Sequence, residues 1–276
     1  MNTLPESQHI PAGLQEPGVR TVARAPRSPV RYLQFDLITV TASGTPVRWA
    51  SEGREAVLYL IGGTCEFSAS GPGGTLSGLL DTRSAIFDGP PAALYLPPGT
   101  HLELVSPRDG ARLALFSAPP AGQRPLREVH PDQVSVRIVG RDAWSRRVCS
   151  VVDQQVASRL LVGETINQAG SWSSYPPHKH DTEVPGREVP MEEIYHFMVR
   201  PPEGFGLQMV YTAPEAPQPF EHIYRVRDGD TVVIPRGYHP VVAAGGYQLA
   251  YLWAISGDRV DYGKWCDDPA HTWLLQ

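Results

Sequence analysis

Glycine and proline interrupt this chain so often that it cannot be built from long helices. There are 26 Gly and 28 Pro among 276 residues, about a fifth of the chain. Either residue breaks or ends a helix. The same density excludes a long coiled coil, yet it stays below the level that marks low-complexity chain. Hydrophobic residues are 41% and charged residues 19%. That is enough apolar material for one large core or two modest ones, which excludes a disordered chain.

What remains is short strands joined by turns, and the sequence reads that way from Val30 onward. RYLQFDLITV (31–40), EAVLYLIGG (55–63), SAIF (84–87), AALYLPPGT (92–100), HLELVS (101–106) and ARLALFSA (111–118) are apolar or alternating runs bounded by Gly, Pro, Asp or Ser. A second set comprises SVRIVG (135–140), ASRLLVGETI (157–166), EEIYHFMV (192–199), GFGLQMVYT (204–212), EHIYRVRDGD (221–230), TVVIPRGYH (231–239) and YQLAYLWAI (247–255). The two halves rhyme: ALYLPPGTHLELV and TVVIPRGYHPVVA each place Pro-x-Gly-x-His between strands, as a duplicated β-unit would. The Pro-rich stretch 117–126 is a candidate linker. The expected organisation is a polar, irregular or covering arm (1–28), a first β-domain (29–125) and a second (126–276).

Several function classes are excluded early. No run approaches the roughly 18 apolar residues of a membrane helix, and MNTLPESQHIPAG has neither the basic nor the apolar region of a secretory signal. Cys65, Cys149 and Cys266 are isolated and odd in number, so neither a disulfide framework nor a thiolate zinc site is indicated, and a reducing cytoplasm is the expected setting. A net charge of −5 without a basic run argues against nucleic acid and anionic membrane as partners. There is no P-loop, no GxGxxG after a strand and no GxSxG elbow.

The chemistry-bearing segment begins at GSWSSYPPHKHD (170–181). His178 and His180 are two apart, so on a strand their imidazoles share a face, a start for a divalent metal site. A Pro- and Gly-containing loop leads to MEEIYHFMV, and GDTVVIPRGYHP brings His239 just after a tight Pro-Arg-Gly turn. Two neighbouring histidines, a carboxylate and a distant histidine are what a small antiparallel barrel needs to grip a metal in its mouth. Glu192 and Glu193 have opposite strand parity. Glu193 shares its face with Tyr195 and Phe197 and is the chosen ligand. The expected metal set is His178, His180, Glu193 and His239. Nitrogen and oxygen ligands suit one divalent ion, Zn or Mn ahead of Fe, Ni or Co.

HKH, the Glu before an aromatic strand, and GDTVVIPRGYH resemble the two motifs of the cupin superfamily. The second motif is one residue short before its His, and the Asn that often follows that His is missing. WSSYPPHKHD, EEIYHF, GFGLQMVYT, DGDTVVIPRGYHPV and GYQLAYLWAISG together resemble the 5-deoxy-glucuronate isomerase family. Its members are bicupin enzymes of myo-inositol catabolism, related to the 4-deoxy-threo-hexosulose-uronate ketol-isomerases of pectin breakdown. The resemblance implies an all-β fold of two antiparallel β-barrel or jelly-roll domains in tandem. The first would be a degenerate cupin without a metal, since it carries LPPGTH but no His-x-His. Family members commonly have Tyr where this chain has His196.

The resemblance also implies an aldose–ketose isomerisation of a sugar acid, 5-deoxy-D-glucuronate to 5-dehydro-2-deoxy-D-gluconate, through an enediol. Such chemistry needs a stabilised oxyanion and a base. Candidates for the base at the same mouth are Glu193, His196 and Tyr251, with Lys179 assigned by parity to the rim. The substrate carboxylate calls for an Arg fork, for which Arg236 and Arg200 are the candidates, and Gln208 is a candidate for sugar hydroxyls. Tyr175, Trp172 and Trp253 read as core or rim packing. Two other readings compete: a cupin dioxygenase, and a non-catalytic sugar-acid-binding bicupin. Cupin sheets often pair between subunits, so class analogy leaves room for a homo-oligomer.

Overall fold

The structure, a computed structural model, describes residues 4–42 and 44–276; the first three residues of the expected arm lie outside it. Two β-sandwiches stand side by side, and every strand pairing in their sheets is antiparallel. The first packs a six-stranded sheet, with Glu55–Gly63 and Ala111–Ala118 at its centre, on a four-stranded sheet. The second packs a seven-stranded sheet on a four-stranded one. Met191–Arg200 lies between Thr231–Ile234 and Gln248–Gly257 in the larger sheet.

Strand alternation sorts the apolar residues into three layers. Leu58, Leu94, Leu104 and Leu115 belong to the packed interior of the first sandwich. Tyr195, Phe197, Val232, Tyr251 and Trp253 belong to that of the second. A third layer lies between the domains: Phe35, Tyr59 and Phe116 from the first meet Val162, Ile194, Met198 and Leu252 from the second. The large sheets are therefore buried on both faces, which is why 55–63 and 191–199 read as nearly unbroken apolar runs.

Polar contacts cross the same seam. Arg83 and Glu164, both fully buried, form an ion pair at 2.7 Å, and Tyr59 donates to the same Glu164 oxygen at 2.6 Å. Glu55 accepts from the backbone N–H groups of Ser158 and Arg159, and Glu192 accepts from those of Arg31, Tyr32 and Leu33.

Three elements differ from the sequence expectation. The arm is not irregular throughout. Gln8–Ile10 pairs with Thr231–Ile234 at the edge of the second domain, and Gly18–Ala23 then pairs with Gln34–Val40 in the first. Asp230 holds the first of these strands in place, accepting from Ala12 N–H at 2.8 Å and contacting His9 at 3.0 Å. Arg127–Val129 pairs with Ala93–Leu96, so the first domain's sheet extends past the expected boundary at 125. SAIF is no strand; Ile86–Asp88 forms a single 3-10 turn, since three apolar residues between Ser84 and Asp88 carry no strand period. Among the described residues no helix is long and apolar enough to cross a membrane.

Candidate metal centre and cavity

The strand Met191–Arg200 fixes the centre by parity. Glu193, Tyr195 and Phe197 face the interior of the second sandwich, whereas Ile194, His196 and Met198 face the other domain. Glu192 points away with them. His180 follows the short strand His178–Lys179, which pairs with Cys266–Asp267. His239 stands beyond the Pro-Arg-Gly turn. Gly237 has φ +99°, and a Cβ there would come within 2.6 Å of the Tyr211 carbonyl oxygen, so glycine alone lets the chain turn this tightly toward the cavity.

Three ligand atoms, one each from His180, Glu193 and His239, lie within 4.8 Å of one another, all buried. Glu193 Oε2 is 3.1 Å from His180 Nε2 and 3.3 Å from His239 Nε2. The opposite ring nitrogens are occupied: His180 Nδ1 contacts the Met191 carbonyl at 2.8 Å, and His239 Nδ1 contacts the Gly237 carbonyl at 2.9 Å. A carbonyl only accepts, so each Nδ1 carries its proton and each neutral ring turns the Nε2 lone pair toward the same carboxylate oxygen. Lone pairs facing an anion repel unless a proton or a cation sits among them. His239 Nε2 is buried without a hydrogen-bond partner. A divalent cation fits this donor set.

A proton on His180 Nε2 meets the same need when no cation is bound, and the electrostatics of the pair favour it. Burial alone would raise the Glu193 carboxyl, but the two imidazoles outweigh it and hold it at about 2. Burial would likewise depress His180, and Glu193 outweighs that and raises it. His178 is pushed well below the usual imidazole value by burial and by His239 and His180, which leaves it in the neutral, metal-binding form. Its ring lies 4.9 Å from that of His239 and 5.3 Å from that of Trp265, and its nitrogens stand outside the three-atom group. Pairing with the chain's last strand and packing on Trp265 hold it there.

The centre opens into a cavity of about 360 Å³, at the small end of ligand pockets. Its walls include Trp144, Arg146, Ser174, Tyr175, Tyr195, Tyr251, Trp253, Trp265 and Asp267. Tyr251 donates to Ser173 Oγ at 2.9 Å, and the Tyr195 and Ser174 hydroxyls are 2.9 Å apart. Burial raises the pKa of both phenols, so at neutral pH they remain hydrogen-bond donors.

Four of the expected site residues are elsewhere. His196 is fully buried between the domains, 3.0 Å from Thr231 Oγ1 and packed on Phe35; three residues from Glu193, it has the opposite parity. Arg236 reaches outward over Phe220 and donates to the carbonyls of Pro5 and Gln218. Arg200 pairs with Asp88 of the first domain at 2.7 Å. Gln208 is buried beneath the centre, where its amide donates to the His239 carbonyl at 2.8 Å; it supports the ligand loop and does not line the cavity. Lys179 is tied to Asp181 and Glu188. The sequence reading missed Arg146, Ser174, Tyr195 and Asp267. For Tyr195 the signal was at hand, since it shares the face of Glu193. For Arg146 it was masked by the adjacent Arg147, which points to the opposite side and approaches Glu164.

Comparison with known proteins agrees with this architecture. The chain is 35% identical over 247 residues to the 5-deoxy-glucuronate isomerase of Geobacillus kaustophilus, covering 89% of this chain and 86% of the relative. It is 29% identical over 252 residues to that of Bacillus subtilis strain 168, covering 90% of each. A solved IolB-like protein from Salmonella typhimurium superposes with a TM-score of 0.88 at 30% identity, over 98% of this chain and all of that one. The oxalate decarboxylase of Lactobacillus farciminis superposes at 0.65 over 93% of this chain and 87% of that one; at 11% identity it shares the bicupin fold alone. The KduI/IolB family model matches residues 10–274, and the chain belongs to that family.

Proposed function

We propose that this chain is an aldose–ketose isomerase that converts 5-deoxy-D-glucuronate to 5-dehydro-2-deoxy-D-gluconate, a step of myo-inositol catabolism. What carries the reading is the placement of two imidazoles and a carboxylate at the floor of a small cavity, in a chain that aligns over nine-tenths of its length with isomerases of that name. That alignment favours isomerisation over oxygenation.

His180, Glu193 and His239 are the proposed ligands of one divalent ion, Zn or Mn ahead of Fe, Ni or Co, with His178 as the fourth. Bound there, such an ion would polarise the carbonyl and hydroxyl oxygens at the reacting carbons. In the reaction C2 loses a proton and C1 gains one, so the aldehyde becomes a primary alcohol and the C2 alcohol a ketone, with no change in formula. Tyr195, kept protonated by burial, donates to an oxygen whose charge develops in the enediol, and Tyr251, whose proton goes to Ser173, packs beside it. Two carboxylates line the cavity. Glu193 is engaged by two imidazoles, whereas burial raises the pKa of Asp267, which makes Asp267 the better proton acceptor.

The test is anaerobic conversion of 5-deoxy-D-glucuronate by purified protein supplied with each of these metals. Formation of the keto acid without oxygen supports the reading; no conversion with any of them overturns it.

A further inference from the structure

A sugar acid has two chemically distinct ends. The aldehyde end is the one that reacts, so the isomerase reading, on which the following rests, leaves the carboxylate end to be recognised elsewhere in the cavity. An enclosed carboxylate needs a cationic partner, and a guanidinium matches it with two parallel N–H groups.

Arg146 is the one Arg or Lys that lines the cavity among the described residues. It opens the strand Arg146–Val152 and shares the cavity-facing side with Val148. Its hydrogen bonds, to the carbonyls of Trp144 at 3.1 Å and Tyr175 at 3.4 Å, both use Nη1. The loop is shaped around this head group: Gly140 has φ +84°, and a Cβ there would lie 2.7 Å from Arg146 Nη1 and 2.3 Å from the Trp144 carbonyl oxygen. Nε and Nη2 are left out of these two bonds.

The charge is also unmatched. Arg83, Arg200, Arg259 and Lys179 each sit within 2.8 Å of a carboxylate oxygen. Among the described residues no carboxylate lies within 4 Å of Arg146, which is half-buried beside aromatic walls. A guanidinium withdrawn from water without a counter-charge is costly unless an anion arrives to pair with it.

We propose that Arg146 is the residue that binds the substrate's carboxylate, in the same cavity as the imidazole–carboxylate centre, and so selects sugar acids over neutral sugars. It is a binding residue and takes no part in the proton transfer.

The test compares 5-deoxy-D-glucuronate with its uncharged 6-carboxamide, in wild type, Arg146→Met and Arg146→Gln. Wild type should favour the acid in kcat/KM by about 10- to 100-fold, the range for a charge-assisted hydrogen bond. Arg146→Met should lose that factor on the acid, chiefly through KM, and stay within about threefold of wild type on the amide. Arg146→Gln keeps a donor for the two carbonyls and should show the same collapse of preference if the methionine variant fails to fold. Equal use of acid and amide by wild type overturns the assignment without any variant. So does a neutral variant that keeps the acid preference, or one that loses both substrates equally while retaining its fold and its metal, which is the outcome of a merely structural arginine. A wild type inert on the acid overturns the isomerase reading and the assignment with it; a wild type active on the acid separates the two.

Discussion

Replacing Arg83 with methionine should weaken the whole molecule while leaving the cavity's chemistry in place. Arg83 belongs to the first domain and Glu164 to the second, and both side chains are fully buried. The substitution removes the 2.7 Å ion pair. It also strips donors from the carbonyls of Leu60, which takes two N–H groups at 2.7 and 3.1 Å, and of Gly89 at 3.1 Å. Glu164 keeps Tyr59 and, at 3.5 Å, the half-exposed Arg147. Removing one partner of a buried pair costs about 3–5 kcal/mol, a large share of a total stability of about 5–15 kcal/mol. At roughly 2–4 °C per kcal/mol, the melting temperature should fall by about 6–20 °C. Scanning calorimetry and urea unfolding measure this. Adding Glu164→Leu removes the stranded carboxylate, so the double variant should be more stable than Arg83→Met alone, a coupling of about 2 kcal/mol or more. A melting temperature within 2 °C of wild type for the single variant would refute this reasoning, as would a double variant whose loss equals the sum of the two singles.

Other outcomes follow from the same contacts. His180→Ala should bind far less divalent metal by elemental analysis of the purified protein; an unchanged metal content removes it from the ligand set. His196 is held down to about 3 by burial and by Arg112 and Arg20. Unfolded, it returns to about 6.5, so between these values the unfolded chain binds a proton that the folded one refuses, and stability falls with pH by about 1.4 kcal/mol per unit. From pH 6.5 to 5 that loss is about 2 kcal/mol; His196→Leu should lack it in urea titrations and keep its activity. Gly237→Ala must open the turn beneath His239, costing about 1–3 kcal/mol, and metal should dissociate faster in a chelator chase. Asp267→Asn should lower kcat with little change in metal content; an undiminished kcat rules it out as the proton acceptor.

Much of the fold was legible because its strands are short apolar or alternating runs bounded by turn residues. EAVLYLIGG and ARLALFSA coincide with strands residue for residue. Parity also separated Glu192 from Glu193, which the structure has on opposite faces. Parity disqualified His196 as well, but closeness to Glu193 in sequence drew it into the site. Arg200 was chosen for following the Glu193 strand and Arg236 for standing three residues before His239, yet a long side chain is aimed by its nearest partners, here Asp88 and the carbonyls of Pro5 and Gln218. Arg146 pairs with neighbouring strands, but the walls that make its surroundings a cavity, Tyr195, Tyr251, Trp265 and Asp267, come from far along the chain. The pairing of His178–Lys179 with Cys266–Asp267 is equally long-range, and two-residue strands carry no pattern.

The clasp formed by Gln8–Ile10 bears on the order in which the molecule assembles. On the ribosome these residues emerge early, but their partners Thr231–Ile234 are more than two hundred residues away. Gly18–Ala23, a few residues on, finds its partner almost at once in Gln34–Val40. During synthesis the first domain can close while a short strand hangs from it unpaired, and the edge of the second domain is completed only when that strand returns. Loop closure over such a distance is slow, and an exposed strand invites other chains. Here it is three residues long and followed by Pro11, which limits what it can recruit before its own partner is made.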